Sequence, residues 1–264
     1  MIPAVRAIAR AAMAARPVPL ADVQARAELL TRVDRGYLVP VEVFAALAAE
    51  LTDRGRPGGP FAALCVNGRR WFGYRCVHHD TSDLRSFHDH RQRRRPRFTV
   101  GERLYEDTGE RQLEIVLQGR RPETVKRRCP LLPDEAALGP ASHRFLATEL
   151  ARSQGIDAPA GLRPVLATHH QRTTLVADGQ RITCDAALVC RDPATGRTVR
   201  ADGGLVLVGT RSAGGQTAAD RLLRDHGLHA PEFTTYSAAL AALRPDLAAD
   251  RWRRTVRTAF PSAG

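Results

Sequence analysis

Between Arg97 and Arg128 the chain alternates charged or polar residues with aliphatic ones, and this period of two limits its fold more than any other pattern in it. It runs through Arg97 to Glu106, Arg111 to Leu117 and Glu123 to Arg128, with Asp107-Thr108-Gly109 as a turn. Successive side chains of a strand point to opposite faces, so the arginines gather on one face and the aliphatics on the other. If such strands close into a barrel, one face becomes the lumen, and a basic lumen is a channel for anions. The alternative leaves the arginines outside, in water.

More strands are expected at Ala62 to Val66 and Arg69 to Val77, which flank Asn67-Gly68, a hairpin signal because both turn residues tolerate positive φ. Val165 to Ala177, Gln180 to Cys190 and Thr198 to Val208 add three, separated by Asp178-Gly179 and Asp192 to Gly196. Helical spacing marks Leu20 to Leu30, Pro40 to Thr52, His143 to Ser153, Ala218 to His226 and Ser237 to Leu243, while Thr31 to Arg35 reads as a polar connection. Residues 1–19 are expected to be a flexible leader, ending at Pro17-Val18-Pro19, and residues 20–264 a single domain.

With 264 residues, 43% of them hydrophobic, the chain has ample material for a core. The formal charge of +12 favours polyanionic partners without choosing among them. Lys126 is the sole lysine, so the charge is nearly all arginine, a bias that a GC-rich coding sequence also produces. Five cysteines without a C-x-x-C pair read as reduced, buried thiols of a cytoplasmic protein. No apolar run is long enough to span a membrane.

Four stretches, in order, resemble the VTC domain, the polyphosphate polymerase module of the CYTH-like triphosphate tunnel superfamily. Arg32-Val33-Asp34-Arg35-Gly36-Tyr37-Leu38-Val39 is similar to its R-x-D-R-K-Y opening, and Val77-His78-His79-Asp80-Thr81 with Asp83-Leu84 resembles Y-F-D-T-x-x-L. Arg97 to Tyr105 with Leu113-Glu114-Ile115-Val116 resembles R-F-K-V-R-x-R-x-Y followed by L-E-V-K, and Thr124-Val125-Lys126-Arg127-Arg128 matches t-V-K-x-R. Arg181-Ile182-Thr183-Cys184-Asp185 resembles R-h-T-h-D, Leu205 to Ser212 resembles L-V-E-x-K-S, and Phe233-Thr234-Thr235-Tyr236 sits where S-K-Y is expected.

The resemblance implies an α+β fold, an antiparallel β-barrel with flanking helices, whose basic lumen binds ATP, triphosphate or polyphosphate. It implies phosphate contacts from Arg103, Lys126, Arg128, Arg181 and Arg211, the last an arginine where the family has lysine. A divalent metal, Mn or Mg, would accompany activity, with Glu114 and Asp185 as the candidate ligands left in this chain. Gly36, Thr99, Gly101, Val116 and Thr235 replace basic family residues, and Gly209 replaces the glutamate at the metal position. Phosphoryl transfer depends on neutralising charge and aligning the nucleophile, so these losses imply a polymerase with catalysis weakened or lost.

Two rivals remain: a non-catalytic module that senses polyphosphate or nucleotides, and a triphosphate hydrolase of the same tunnel class. The cluster of His78, His79, Asp80, His88, Asp89 and His90 offers metal-ligand types, but adjacent residues of a strand face opposite ways. Arg91 to Arg97 could touch a nucleic-acid backbone, yet it lacks interleaved aromatics and reads in preference as a solvated loop beside the tunnel mouth. Nucleic acid is accordingly not the expected partner.

Overall fold

The computed structural model describes residues 1–27, 31–55, 60–119, 123–231, 234–247 and 252–261. In chain order it runs α1 (Pro3–Ala14), β1 (Arg16–Val18), α2 (Leu20–Ala27), β2 (Thr31–Pro40), α3 (Val41–Thr52), β3 (Ala62–Leu64), β4 (Phe72–Asp80) and α4 (Arg85–Arg91). β5 (Arg97–Tyr105), β6 (Arg111–Gln118), β7 (Thr124–Leu131) and α5 (Pro140–Gln154) follow. The last third is β8 (Arg163–Ala177), β9 (Gln180–Arg191), β10 (Thr198–Arg200), β11 (Leu205–Ser212), α6 (Ala218–Asp225), α7 (Thr235–Leu243) and α8 (Arg253–Ala259).

Eight of the strands close on themselves in the order β8-β4-β5-β6-β7-β2-β11-β9, with β9 returning to β8. Every pairing around this ring is antiparallel. The expected class, an antiparallel barrel with flanking helices, is therefore the one found.

The apolar face of each alternating strand points outward, under helices. Phe98, Val100, Leu113, Ile115 and Leu117 form one cluster with Leu146 and Leu150 of α5. Tyr37, Val39, Val206, Val208, Ile182 and Cys184 form another with α1, α3 and α6. A barrel clad in helices has its dry interface on the outside, and this leaves the charged face for the lumen. α5 opens with a proline in its first turn, where no backbone donor is lost, and stops at Gly155, whose φ of 65° suits glycine. α6 and α7 each begin with a capping box, Thr217 with Asp220 and Thr234 with Ser237.

Several expectations are corrected. Residues 3–14, expected as part of a flexible leader, form α1, whose Ala4, Ile8 and Ala11 are buried against the barrel because they recur at helical spacing on one face. Thr31 to Arg35 is not a connection but the start of β2. The Asn67-Gly68 turn exists, with φ of 49° and 78°, but β3 and β4 form no hairpin. Both instead lie antiparallel along the same edge of β8, β3 at Leu175 and Val176 and β4 from Arg163 to Arg172. The strand expected over Thr198 to Val208 is two, because a turn at Gly203-Gly204 sends β11 across to β2. α8 carried too little periodicity to be expected. Phe233, at the start of the expected S-K-Y match, lies outside the described residues.

Candidate anion-binding lumen

Strand register fixes which side chains share the lumen. His78 pairs with Gly101, Gly101 with Glu114 and Glu114 with Arg128, while Cys76 pairs with Arg103 and Val116 with Lys126. On the opposite wall Asp34 pairs with Arg211 and Arg211 with Arg181; Gly36 pairs with Gly209 and Gly209 with Thr183; Arg172 pairs with Asp185 and Asp185 with Leu207. All five cations expected to contact phosphate, Arg103, Lys126, Arg128, Arg181 and Arg211, thus lie on one continuous inner surface.

Three carboxylates organise them. Glu114, 3% exposed, is met by Arg103, by Lys126 and by Arg128 at 3.2 Å. Asp185 accepts two hydrogen bonds from Arg172, 2.5 Å from Nε and 2.6 Å from Nη2, a bidentate pair. Asp34 accepts from Nε of Arg32 at 2.8 Å and from Nε of Arg211 at 3.0 Å. With Arg181 beside Arg211, seven cationic side chains line this wall with these three carboxylates among the described residues, which makes it predominantly basic.

Protonation follows from that basic setting. Burial by itself would raise the Glu114 carboxyl, but Arg103 and Lys126 outweigh it and hold the group ionised, well below the usual carboxylate range. Burial and then Arg103 act the other way on Lys126, lowering its pKa, so it is the cation in this cluster that yields its proton most readily. Burial and then Arg32 pull Arg211 down as well. His78 and His170 are driven to about 3, mainly by burial, and are neutral. His170 stacks on Tyr74 at 5.6 Å, and Arg172 lies over the same ring at 4.9 Å.

Glycines mark where the wall lacks side chains. A Cβ on Gly36 would meet nothing within 4 Å, whereas one on Gly209 would sit 2.8 Å from Oγ1 of Thr183. The threonine has taken the space beside the position where the family pattern places its glutamate.

The carboxylates present do not fit a metal centre. Glu114 is committed to three cations and Asp185 to Arg172. Among the described residues no group of three or more His, Cys, Asp or Glu side chains could hold a metal ion. The histidine-rich stretch is dispersed between the end of β4 and the helix α4. His78 turns into the lumen, while Asp80 accepts from the backbone N–H groups of Thr81, Ser86 and Phe87 at the start of α4. His90 stacks on Trp252.

Residues 93–95 of the arginine run are exposed between α4 and β5. Cys76, Cys184 and Cys190 are buried free thiols; Cys65 and Cys129, also free, are only half-buried. Among the described residues no helix is long and apolar enough to cross a membrane. Arg32 and Arg172 are lumen residues that the sequence did not mark as site candidates. Arg32 stood in a segment not read as a strand, and Arg172 matches no family motif. Its place two residues from His170 on a strand was the available signal.

A closed antiparallel barrel with a cation-rich lumen and a helical jacket defines a tunnel-type barrel protein. The VTC domain family matches residues 37–244, and this chain belongs to it. No curated protein sequence matches the chain. Among solved structures it is similar to the PH1819 protein of Pyrococcus horikoshii OT3, at 12% identity and a TM-score of 0.44, covering 78% of this chain and 96% of that one. It is also similar to HpAC1 of Hippeastrum, described as having a dominant triphosphatase activity (9% identity, TM-score 0.40, 82% and 95% coverage). The Pct1 RNA triphosphatase of S. pombe is a third (10% identity, TM-score 0.28, 85% and 75%). The family assignment rests on the sequence match alone.

Proposed function

We propose that the lumen binds a triphosphate-bearing ligand, ATP or inorganic triphosphate, or polyphosphate, and that polymerase turnover is weakened or lost. The observation that carries this reading is the predominance of cations around Glu114, Asp185 and Asp34 on one inner surface. Arg103, Arg128 and Arg211 offer planar donors that match phosphate oxygens, and Lys126 supplies a compact charge.

The same surface argues for attenuated chemistry. Gly36, Thr99, Gly101 and Val116 leave the inner wall without cations that the family pattern places there, and Gly209 offers no ligand where the pattern has a glutamate. With Glu114 and Asp185 both ion-paired, the described residues present no donor set for the Mn or Mg that polymerisation or hydrolysis would use. The free thiols fit a reducing compartment such as the cytoplasm.

Calorimetric titration with tripolyphosphate at low ionic strength tests the binding, and Lys126→Ala and Arg103→Ala are expected to weaken it. Absence of any heat under those conditions refutes the phosphate-binding reading. Robust polyphosphate synthesis from ATP with manganese overturns the weakened-turnover part only. Binding without turnover would favour a sensing or regulatory role.

A further inference from the structure

β4 has two faces, and only one belongs to the lumen. His78 turns inward, so Val77 and His79 on either side of it point outward, as do Glu102 of β5 and Ala167 of β8, both paired with Val77. On this outer surface lies an open cavity of about 480 Å³, within the size range of small-molecule sites. Val77, Ala167 and Pro164 reach it from the sheet, Leu138 from the loop before α5 and Pro193 from the loop after β9. None of its lining residues belongs to a helix.

Both loops are held by the protein's own bonds. Nη1 of Arg111 donates to the carbonyls of Leu132, Pro133 and Glu135 at 2.8, 2.6 and 3.0 Å. Oδ1 of Asp192 accepts from the Ala194 N–H at 2.9 Å, and its Oδ2 accepts from Nε of Arg244 at 2.9 Å.

The polar groups of the cavity are few and unlike one another. Arg111 donates to Glu102 from Nε at 3.0 Å and from Nη2 at 2.5 Å, but both bonds go to Oε1, and no described residue donates to Oε2. His79 is 4% exposed, and burial lowers its pKa, so the neutral ring offers one nitrogen as donor and the other as acceptor. Arg191 pairs in register with Ala167 and shares its face, two residues before Pro193. It is exposed and ion-paired with no described residue.

An amino group suits the open carboxylate oxygen, a flat heteroaromatic ring suits the aliphatic walls and the imidazole, and a phosphate suits the guanidinium beside them. We propose that this outer cavity is a second ligand site, for a nucleotide with an amino-substituted base. The base lies in the cavity with its amino group donating to Glu102, and the 5′-phosphate lies on Arg191. The sheet itself separates this site from the lumen, and the proposal does not depend on what the lumen binds.

Calorimetry at physiological ionic strength with AMP, adenosine and purine riboside 5′-phosphate, which lacks the amino group, tests the proposal. AMP should bind at about one per chain. The analogue without the amino group should bind at least about tenfold more weakly. Arg191→Ala should weaken AMP at least about fivefold and leave adenosine unchanged. Ala167→Phe, which fills the cavity, should abolish binding of both, whereas Arg103→Ala, in the lumen, should leave AMP affinity as it is. Arg191 is exposed, so its variant tests the site even where Ala167→Phe fails to fold. No binding of AMP, or equal affinity for the two purine nucleotides, overturns the proposal. AMP binding that Arg103→Ala reduces and Arg191→Ala spares also overturns it, and leaves the lumen reading standing.

Discussion

Tyr236 donates its hydroxyl hydrogen to Asp80 at 2.6 Å, across a sequence separation of 156 residues. The same carboxylate receives the backbone N–H groups that open α4, so one buried anion ties α4 to α7. Burial and then the Asp80 charge push the Tyr236 phenol well above its ordinary pKa, and it stays a donor. Tyr236→Phe removes that donor while keeping the ring. The expected loss is about 1.5–3 kcal/mol of stability, the usual range for a buried bond to a charged group. Urea unfolding measures it, and tripolyphosphate affinity should be unchanged because the tyrosine lies in the apolar cluster around α7.

Glu114→Gln leaves Arg103, Lys126 and Arg128 without their shared anion. Breaking a buried pair from one side costs about 3–5 kcal/mol. Tripolyphosphate should restore much of that loss by supplying the missing charge. Thermal melts with and without the ligand check this: the ligand-induced rise in Tm should be larger in the variant than in the parent protein.

Glu114 also sets a pH dependence. Its folded pKa lies below its ordinary 4.5, so its stabilising contribution is complete above that value and is lost as pH falls toward the folded pKa. Stability between about pH 5 and 3 should drop more steeply in the parent protein than in Glu114→Gln. Equal slopes in denaturant titrations would contradict the ion-pair cluster.

Lys126 predicts proton uptake on ligand binding. Its pKa is lowered by burial and by Arg103, and an incoming phosphate favours the charged form. Affinity should therefore decline as pH rises, at a lower pH than the titration of an ordinary lysine would require. Calorimetry in buffers of different ionisation enthalpy should register an uptake that Lys126→Met abolishes.

Gly209→Ala places a Cβ 2.8 Å from Oγ1 of Thr183 and should cost about 1–3 kcal/mol by overpacking. Thr183→Ala in the same chain should relieve most of that cost, as a double-mutant cycle would register. Gly209→Glu in the Thr183→Ala background restores a carboxylate beside the lumen. It should confer manganese binding measurable by calorimetry that exceeds that of the parent protein.

Much of the barrel could be read from residues alone, because period-two alternation is local: β5, β6 and β7 lie where Arg97 to Glu106, Arg111 to Leu117 and Glu123 to Arg128 placed them. Motif order likewise pointed to the family now matched over residues 37–244. β2 escaped because Gly36 interrupts its pattern, and α1 because an alanine-rich, arginine-dotted segment reads the same whether frayed or docked.

What local pattern specified was two faces per strand, one charged and one aliphatic, and the order of the elements bearing them. Which face turned inward depended on helices far away in the chain: α1, α3, α5 and α6 cover the aliphatic faces, and the arginines are left with the lumen. The pairing of Glu114 with three cations, the meeting of Gly36 with Gly209, and the packing of Leu38 and Leu207 against the α7 cluster depend on register around a closed ring. Closure is a property of all eight strands together, since each side chain acquires its lumen neighbours only when the last strand pairs with the first.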